Sequence, residues 1–393
     1  MKTTCLVGNT TELPDSFKYL LADNDVDVLA TDTSSINSCY HLNFEKFNSR
    51  EYTKCIAIYD SNFARYVHFD MEAGEVLTQS SKFARLCFDD GLTDFDCDLA
   101  NACYMFRLYL LLHIICLSRN IELQVIDQGN IYTSNEFVSV KLLQFSGPSW
   151  VDTVNGFTLC SYHNSHNEFM HRLDGNNKLI VVVGDSWVVG DNQDKTKEWN
   201  VGKLKQSWTG LVATHYHSDL VVCGSPGNSN HGALLNFFIW YLHNQDFTNE
   251  YKDVIIIYSG TSAHRDISVY GNTGQWDRCQ IKKEYIVSQR IEKLNRDSEI
   301  AVNSFKCLME HMSLTCYYMI NHNAHVRSIV TQYVDVDYII RPRDNPLIHD
   351  FNHYFKHDSM TDSPVGYLSI CGHPNDRGNE YLAQEVIANI KGF

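Results

Sequence analysis

The feature that most constrains the fold is an unbroken apolar run, Leu179–Val183, that leads directly into Gly184, Asp185 and Ser186. Most of its residues are β-branched, and no polar residue alternates with the apolar ones, a pattern typical of a strand buried on both faces of a parallel sheet. Gly184 permits a sharp turn at the carboxyl end of that strand, which is the edge where ligands bind in open α/β sheets. The run predicts an α/β fold with Ser186 in a ligand cleft; the alternative is a strand followed by an ordinary polar turn.

The second half of the chain repeats this pattern. Three more apolar runs are each followed by a loop rich in Gly, Ser, Asn or His: Asp219–Cys223, Asp253–Tyr258 and Thr315–Ile320. Helical patterns separate the strands, and we predict helices over about 231–244, 297–312 and 380–390, with a crossover helix ending near Thr214. Residues 268–296 are polar and are interpreted as a surface excursion. Alternating strands and helices predict a flavodoxin-like, three-layer parallel sheet over residues 178–393.

The first half predicts a second α/β domain, over residues 1–150. Residues 151–177 are rich in Gly, Ser, Asn, Asp and His and are interpreted as a connector. Gly8-Asn9-Thr10 follows the first predicted strand as Gly184-Asp185-Ser186 follows the strand at Leu179. One interpretation is that the first domain is a degenerate copy of the second. The alternative is that any Rossmann-like unit begins with strand, glycine and helix.

Charge and cysteine usage exclude several classes of function. A formal net charge of -15 argues against a nucleic-acid-binding surface, which is expected to be basic. No apolar run approaches the roughly 18 residues of a membrane helix, and the N-terminus does not resemble a signal peptide. The 13 cysteines show no Cys-x-x-Cys pair or regular spacing, which indicates reduced thiols. Many lie inside apolar runs and are predicted to be buried in strands or helices: Cys55, Cys116, Cys160, Cys223, Cys307 and Cys316. We predict a cytoplasmic protein without membrane association; a virion component and an oligomer remain open alternatives.

The strand-end loops contain a set of residues suited to acyl transfer, which requires a nucleophile, a base and donors aimed at the developing oxyanion. Ser186 is the candidate nucleophile and His373 the candidate base. The backbone N–H groups of Ser186 and Gly227 and the side chain of Asn230 are the candidate oxyanion donors. Asn230 has an alternative role as the N-cap of a helix beginning at residue 231. The other candidates at this edge are Ser262, His264 and Arg265, whereas Asp185 is predicted to be structural.

These motifs, taken in order, resemble the blocks of the SGNH (GDSL-type) hydrolases. The motifs are Gly184-Asp-Ser-Trp187, Gly224-Ser-Pro-Gly-Asn-Ser-Asn230, Gly260-Thr-Ser262 and Gly372-His-Pro-Asn-Asp-Arg-Gly378. The resemblance covers about residues 178–393. It implies a serine hydrolase acting on esters, often acetyl groups on sugars, lipids or small acyl compounds, with Ser186, His373 and Gly227 in the corresponding roles.

Two departures from the family pattern matter. The family acid lies two or three residues before the histidine, where this chain has Cys371 and Ile370. Asp362, Asp358 and Asp376 are the candidate substitutes, and a backbone carbonyl is the alternative. The asparagine of the third block is replaced by Ser262.

Two readings of the function follow. The first is a serine ester hydrolase acting on an acetylated carbohydrate or a small acyl ester, with neither cofactor nor metal. The second is a catalytically inactive binding or structural protein on the same fold, for instance in a viral or other assembly.

Two histidine patterns carry the spacing of metal ligands. His215 and His217 would share one face of a strand. His349, His353 and His357 would align on one face of a helix. Because no third ligand accompanies the first pair and the second series is interpreted as a surface, no metal site is predicted.

Overall fold

The computed structural model of the protein describes residues 3–8, 13–30, 52–59, 109–145, 170–171, 177–190, 201–224, 229–261, 284–321, 324–343, 351, 355, 366–368 and 373–393. The chain divides into two compact units, Met1–Ser161 and Tyr162–Phe393. Each unit is built on its own sheet. Among the described helices, none is long and apolar enough to cross a lipid bilayer.

The first unit contains a five-stranded sheet and three described helices. Its elements are β1 (Thr4–Gly8), α1 (Tyr19–Ala22), β2 (Val26–Ala30), β3 (Lys54–Ile58), α2 (109–118), β4 (Glu122–Asp127), β5 (Asn130–Thr133) and α3 (Ser134–Phe145). The strand order is β2-β1-β3-β4-β5, with β1 to β4 parallel and β5 antiparallel to β4. Its core includes Leu6, Ile56 and Ile126.

The second unit contains a six-stranded sheet. Its strands are β6 (Met170–His171), β7 (Lys178–Gly184), β8 (Asp219–Gly224), β9 (Asp253–Gly260), β10 (Thr315–Ile320) and β11 (Ile339–Ile340). Its described helices are α4 (Val201–Gln206), α5 (Trp208–Tyr216), α6 (Asn230–His243), α7 (Phe247–Glu250), α8 (Glu284–His311), α9 (Ala324–Tyr333) and α10 (Asp376–Asn389). Strand β6 lies inside the predicted connector and pairs antiparallel with β8.

The order of the second sheet is β11-β10-β9-β7-β8-β6. Numbered from β7 in chain order, the five parallel strands read 2-1-3-4-5, which is the flavodoxin-like order. The direction of strand addition reverses between β7 and β9, so a crevice is expected at the carboxyl ends of these two strands. Ser186 follows β7 and Thr261 follows β9, so both lie at this switch point.

The apolar run that predicted β7 is buried as expected. Every residue from Leu179 to Val183 is 0% exposed. On one face, Ile180 and Val182 join a core to which α5 contributes Trp208 and α10 contributes Leu382. Helix α6 packs against β7 and β8, and it also packs against α8. The prediction of a strand buried on both faces is confirmed.

Helix boundaries differ from the predicted ones in three places. Helix α8 begins at Glu284, so residues 284–296 are helical and their interpretation as a surface excursion was wrong. The crossover segment forms two helices, because Ser207 ends α4 and caps α5 by accepting a hydrogen bond from Gly210 N. Helix α10 begins at Asp376 rather than at residue 380, with Asn375 as its N-cap.

Of the two histidine patterns with metal-ligand spacing, only the first lies within the described residues. His215 lies in the last turn of α5, and His217 ends that helix in the left-handed conformation (φ 51°), so they do not share a strand face. No group of three metal-ligating side chains occurs among the described residues. His349, His353 and His357 lie outside the described residues.

Several cysteines are buried in strands or helices, as predicted. Cys55, Cys116 and Cys316 are buried thiols, and Cys223 is buried in β8. Cys307 is half-buried on α8, and Cys160 lies outside the described residues. Burial makes these side chains behave as small hydrophobic groups of the two cores.

The two sheets share the order 2-1-3-4 for their first four parallel strands, counted from β1 and from β7. Both central strands also end in a glycine. Gly8 has φ of +122°, and a Cβ there would lie 2.7 Å from Ile58 O. Only glycine fits this position without strain. The common order is also expected of any two doubly wound sheets, so duplication of one unit from the other stays a prediction.

Candidate active site

The turn after β7 depends on close approach between two strand ends and Val188. A Cβ on Gly184 would lie 2.8 Å from Val188 Cγ1, and one on Gly224, at the end of β8, would lie 2.3 Å from Val188 Cγ2. Both distances are too short for real side chains. Glycine at the two strand ends therefore allows Val188 to fold back over the sheet edge.

Hydrogen bonds inside this turn leave one amide without a partner. Asp185 Oδ1 accepts from the Trp187 N–H at 3.0 Å, and the Asp185 carbonyl accepts from the Val188 N–H at 3.1 Å. The Ser186 N–H donates to no acceptor among the described residues, although Ser186 is only 4% exposed. A buried amide that is unpaired in the resting protein is suited to receive a ligand oxygen.

The side chains of Ser186 and His373 are in contact. His373 Nε2 lies 2.6 Å from Ser186 Oγ, although the two residues are 187 positions apart in the chain. Ser186 is buried and His373 is half-buried. The distance is within the range expected between a nucleophile and its general base.

The segment that carries His373 is fixed by backbone pairing. Pro374 forms an isolated antiparallel bridge with Leu368, and Asn375 N donates to Tyr367 O at 3.0 Å. A Cβ on Gly378, in the first turn of α10, would lie 2.2 Å from Tyr367 O. The glycine at the end of the histidine motif therefore makes room for the backbone that pairs with this segment.

Trp208, the first residue of α5, joins the serine turn to the histidine segment. Its Nε1 donates to Trp187 O at 2.8 Å, and its backbone N donates to Asn379 Oδ1 at 3.0 Å. Asn379 Nδ2 donates in turn to Pro374 O at 3.2 Å. Because Trp208 is fully buried, the side chain and the backbone N–H of this one residue link the residues that follow Ser186 to those that follow His373.

Asn230 is held in a different role from the one predicted. It is the first residue of α6, and the N-cap is Ser229, whose Oγ accepts from Gly232 N at 3.0 Å. Asn230 Nδ2 donates to Thr261 O at 3.1 Å and to Ser298 Oγ at 3.2 Å. Because both amide hydrogens are already donated, the Asn230 side chain has none left for an oxyanion.

Tyr258 completes the environment of Asn230. Its hydroxyl donates to Asn230 Oδ1 at 2.9 Å. Burial, assisted by Cys316 and Asp185, raises the pKa of Tyr258 far above its usual range. The hydroxyl therefore stays protonated and keeps donating, which orients the amide of Asn230.

Of the candidate acids Asp358, Asp362 and Asp376, only Asp376 lies within the described residues. Asp376 is exposed as the first residue of α10, and no hydrogen bond joins it to His373 in the described part of the chain. It therefore does not orient the His373 ring. Gly227, Ser262, His264, Arg265, Asp362, Ile370 and Cys371 lie outside the described residues.

Three residues of this region were not predicted from sequence as functional. Trp208, Thr261 and Asn379 connect the turn and the histidine segment to the rest of the unit. Trp208 and Asn379 are 171 residues apart. Trp208 and Asn379 have no local signal beyond their positions in the first turns of α5 and α10. Thr261 lies in the Gly260-Thr-Ser262 motif and follows the strand next to β7.

Comparison with known proteins gives distant structural likenesses. No protein-family model matches the chain, and no curated protein matches it. Among solved structures, a carbohydrate esterase is similar at 15% identity and a TM-score of 0.32, over 56% of this chain and 68% of that one. Its active site is described as displaying divergent catalytic and non-catalytic binding functions.

A second solved structure is a putative lipolytic protein of the G-D-S-L family from Desulfitobacterium hafniense DCB-2. It is similar at 11% identity and a TM-score of 0.26, over 55% of this chain and 100% of that one. At these TM-scores, neither likeness carries an argument about this chain.

Proposed function

We propose that the second unit is a serine ester hydrolase. The observation that carries the proposal is the 2.6 Å contact between His373 Nε2 and Ser186 Oγ. The contact lies at the carboxyl edge of a flavodoxin-like sheet, beside the switch point where ligands bind in such folds. The unpaired Ser186 N–H gives additional support, because it offers a donor at the reacting atom.

The mechanism assigned to these groups is acyl transfer to serine. His373 Nε2 removes the proton of Ser186 Oγ as that oxygen attacks the acyl carbonyl carbon. The Ser186 N–H, together with the N–H of Gly227, stabilises the oxyanion that forms. The protonated imidazole then gives its proton to the leaving alcohol. A water molecule, deprotonated by His373, attacks the acyl-enzyme, and the imidazolium returns the proton to Ser186 Oγ as the bond to the acyl group breaks and the acid leaves.

The base role requires His373 Nε2 to accept a hydrogen bond from the serine, which places the ring proton on Nδ1. An acceptor at Nδ1 is needed to fix this tautomer. Asp362, Asp358 and a backbone carbonyl remain the candidates for that acceptor. The substrate class that we propose is an acetylated carbohydrate or a small acyl ester, as the motifs of the second unit suggest.

Turnover of p-nitrophenyl acetate tests the proposal. We expect Ser186→Ala and His373→Gln each to lower kcat by roughly 10⁴-fold or more, because the nucleophile and base act as one unit. Matched controls are Ser304→Ala, whose hydroxyl lies in α8, and His311→Gln, at the end of that helix. Both controls should retain wild-type rates.

Equal rates for the wild type and Ser186→Ala would contradict the hydrolase. A folded wild-type protein without any turnover, in which Ser186 also fails to react with a fluorophosphonate, would instead favour the inactive binding or structural protein.

A further inference from the structure

The side chain of Asp185 connects the serine turn to the neighbouring strand. Asp185 is 0% exposed. One carboxylate oxygen, Oδ1, holds the Trp187 N–H at 3.0 Å, and the other, Oδ2, accepts from Thr261 Oγ1 at 2.7 Å. Thr261 is also 0% exposed and directly follows β9. The carboxylate therefore bridges the two strand ends that form the switch point.

This bridge determines which amide of the turn is available. The amides of Ser186, Trp187 and Val188 are consecutive, and Asp185 engages the last two, through its carboxylate and its own carbonyl. Of these three amides, only that of Ser186 has no acceptor among the described residues. A rotation of the Asp185 carboxylate would release the Trp187 amide and let the turn relax, which would move both Ser186 Oγ and Ser186 N.

Thr261 is a fixed anchor for this carboxylate. Its N–H donates to Asn230 Oδ1 at 3.0 Å, and its carbonyl accepts from Asn230 Nδ2 at 3.1 Å. Asn230 is held in turn by Tyr258 and by Ser298 on α8. Because both backbone groups of Thr261 are bound to one buried amide, its hydroxyl has a fixed position from which to orient Asp185.

We propose that Asp185 and Thr261 form a positioning pair that holds Ser186 Oγ against His373 and keeps the Ser186 N–H free for the oxyanion. This inference rests on the proposed hydrolase function. Neither residue touches the reacting atoms. Their contribution is to the geometry of the transition state, and a displacement of about 1 Å in such a site can reduce the rate on the order of 10²-fold.

The test compares two replacements of Thr261 in the full-length protein, with p-nitrophenyl acetate as the probe. Thr261→Val keeps the shape of the side chain and removes the hydroxyl, whereas Thr261→Ser keeps the hydroxyl. We expect Thr261→Val to lower kcat by about 10- to 100-fold with little change in KM. Thr261→Ser should stay within about threefold of the wild type, because its hydroxyl can still reach Asp185.

A double-mutant cycle tests whether the two residues act together. Asp185→Asn should lower kcat similarly, and the Asp185→Asn, Thr261→Val double variant should lose little more than either single variant, because both remove the same contact. The matched control is Thr214→Val, whose hydroxyl bonds only within α5, to Gly210 O at 2.8 Å. It should keep the wild-type kcat. Circular dichroism checks that each variant is folded.

The experiment distinguishes failure of the positioning pair from failure of the proposed hydrolase function. If the wild type turns over and folded Thr261→Val has the same kcat, the positioning pair is refuted while the hydrolase stands. If Thr261→Val does not fold, a large loss of kcat in folded Thr261→Ser refutes the role of the hydroxyl, and wild-type kcat supports it. A wild type that neither turns over nor reacts with a fluorophosphonate contradicts the proposed function, and the inference falls with it.

Discussion

At the residue scale, the buried polar residues around Ser186 already have hydrogen-bond partners. Asp185, Asn230 and Thr261 are each no more than 1% exposed, and each makes at least two hydrogen bonds. An unpaired buried polar group would cost about 1–3 kcal/mol. The Ser186 N–H is the exception in this turn, which is the reason for assigning it to a ligand oxygen.

A buried histidine in the first unit gives a residue-scale prediction. His113 on α2 is 6% exposed, and desolvation lowers its pKa from 6.5 to about 4. In the unfolded chain this ring protonates as the pH falls below 6.5, whereas in the fold it stays neutral until about pH 4. The stability contributed by neutral His113 is therefore complete above pH 6.5 and is lost as the pH falls towards 4.

The expected size of this effect is roughly 3 kcal/mol between the two pH limits, at 1.36 kcal/mol per pKa unit. Denaturant unfolding of the wild type and His113→Gln at a series of pH values measures it. The free energy of unfolding of the wild type, relative to that of His113→Gln, should fall as the pH is lowered from 6.5 to 4. A difference that is independent of pH would contradict the lowered pKa of His113.

Single residues were predictable from sequence where their signal is local. Ser186 and His373 lie in short motifs at strand and helix ends, and the structure brings these two side chains together. Asn230 shows the limit of such reasoning. Its partners Tyr258, Thr261 and Ser298 are 28, 31 and 68 residues away. They reach it only through pairing of the strands and packing of α8, which a local motif does not record.

At the element scale, the helix that follows His373 is expected to stabilise the base. Asn375 caps α10 by accepting a hydrogen bond from Gly378 N at 3.0 Å. Its Nδ2 also donates to Gly366 O, next to the residues that pair with the histidine segment. Capping α10 and holding His373 are therefore properties of one side chain.

Replacing Asn375 by alanine should affect both stability and rate. We expect the free energy of unfolding to fall by about 1 kcal/mol from the lost cap. We also expect kcat for p-nitrophenyl acetate to fall by about tenfold, because His373 loses support two residues away. The matched control is Asp246→Ala, at the N-cap position of α7, where no side-chain cap bond forms. Unchanged stability and kcat in Asn375→Ala would contradict the dual role.

Strands were predictable from the sequence where burial on both faces leaves an unbroken run of apolar residues. The strands β7, β8, β9 and β10 were located from their apolar runs, because burial on both faces excludes polar residues. The first half of α8 was missed. Its residues include Glu284, Arg290 and Lys293, and such a polar composition fits a surface loop as well as a solvent-facing helix. Only the packing of α8 against α6 and α9 distinguishes the two.

At the scale of the whole molecule, the second unit has a hydrophobic core of its own. Its core combines residues of β7, β8 and β9 with residues of α5 and α10, all within Tyr162–Phe393. Ser186, His373 and the residues described as holding them also lie inside this unit.

A fragment of residues 162–393 is therefore expected to fold alone. We predict a single cooperative thermal transition and reaction of Ser186 with a fluorophosphonate, because a domain with its own core can fold by itself. Differential scanning calorimetry and labelling of the fragment and the full chain measure both properties. A soluble fragment without a cooperative transition, or one that reacts only when residues 1–161 are added, would contradict this account of the second unit.

The central claim is that His373 activates Ser186 as a nucleophile. The most direct measurement is mass spectrometry of the folded full-length protein after treatment with a fluorophosphonate, with peptide mapping of the adduct. We predict one adduct per chain, on Ser186, formed at least 10³-fold more slowly in His373→Gln, in line with the unit-like action of such pairs. No adduct on the folded wild type, or labelling of Ser186 at the same rate in His373→Gln, would contradict the claim.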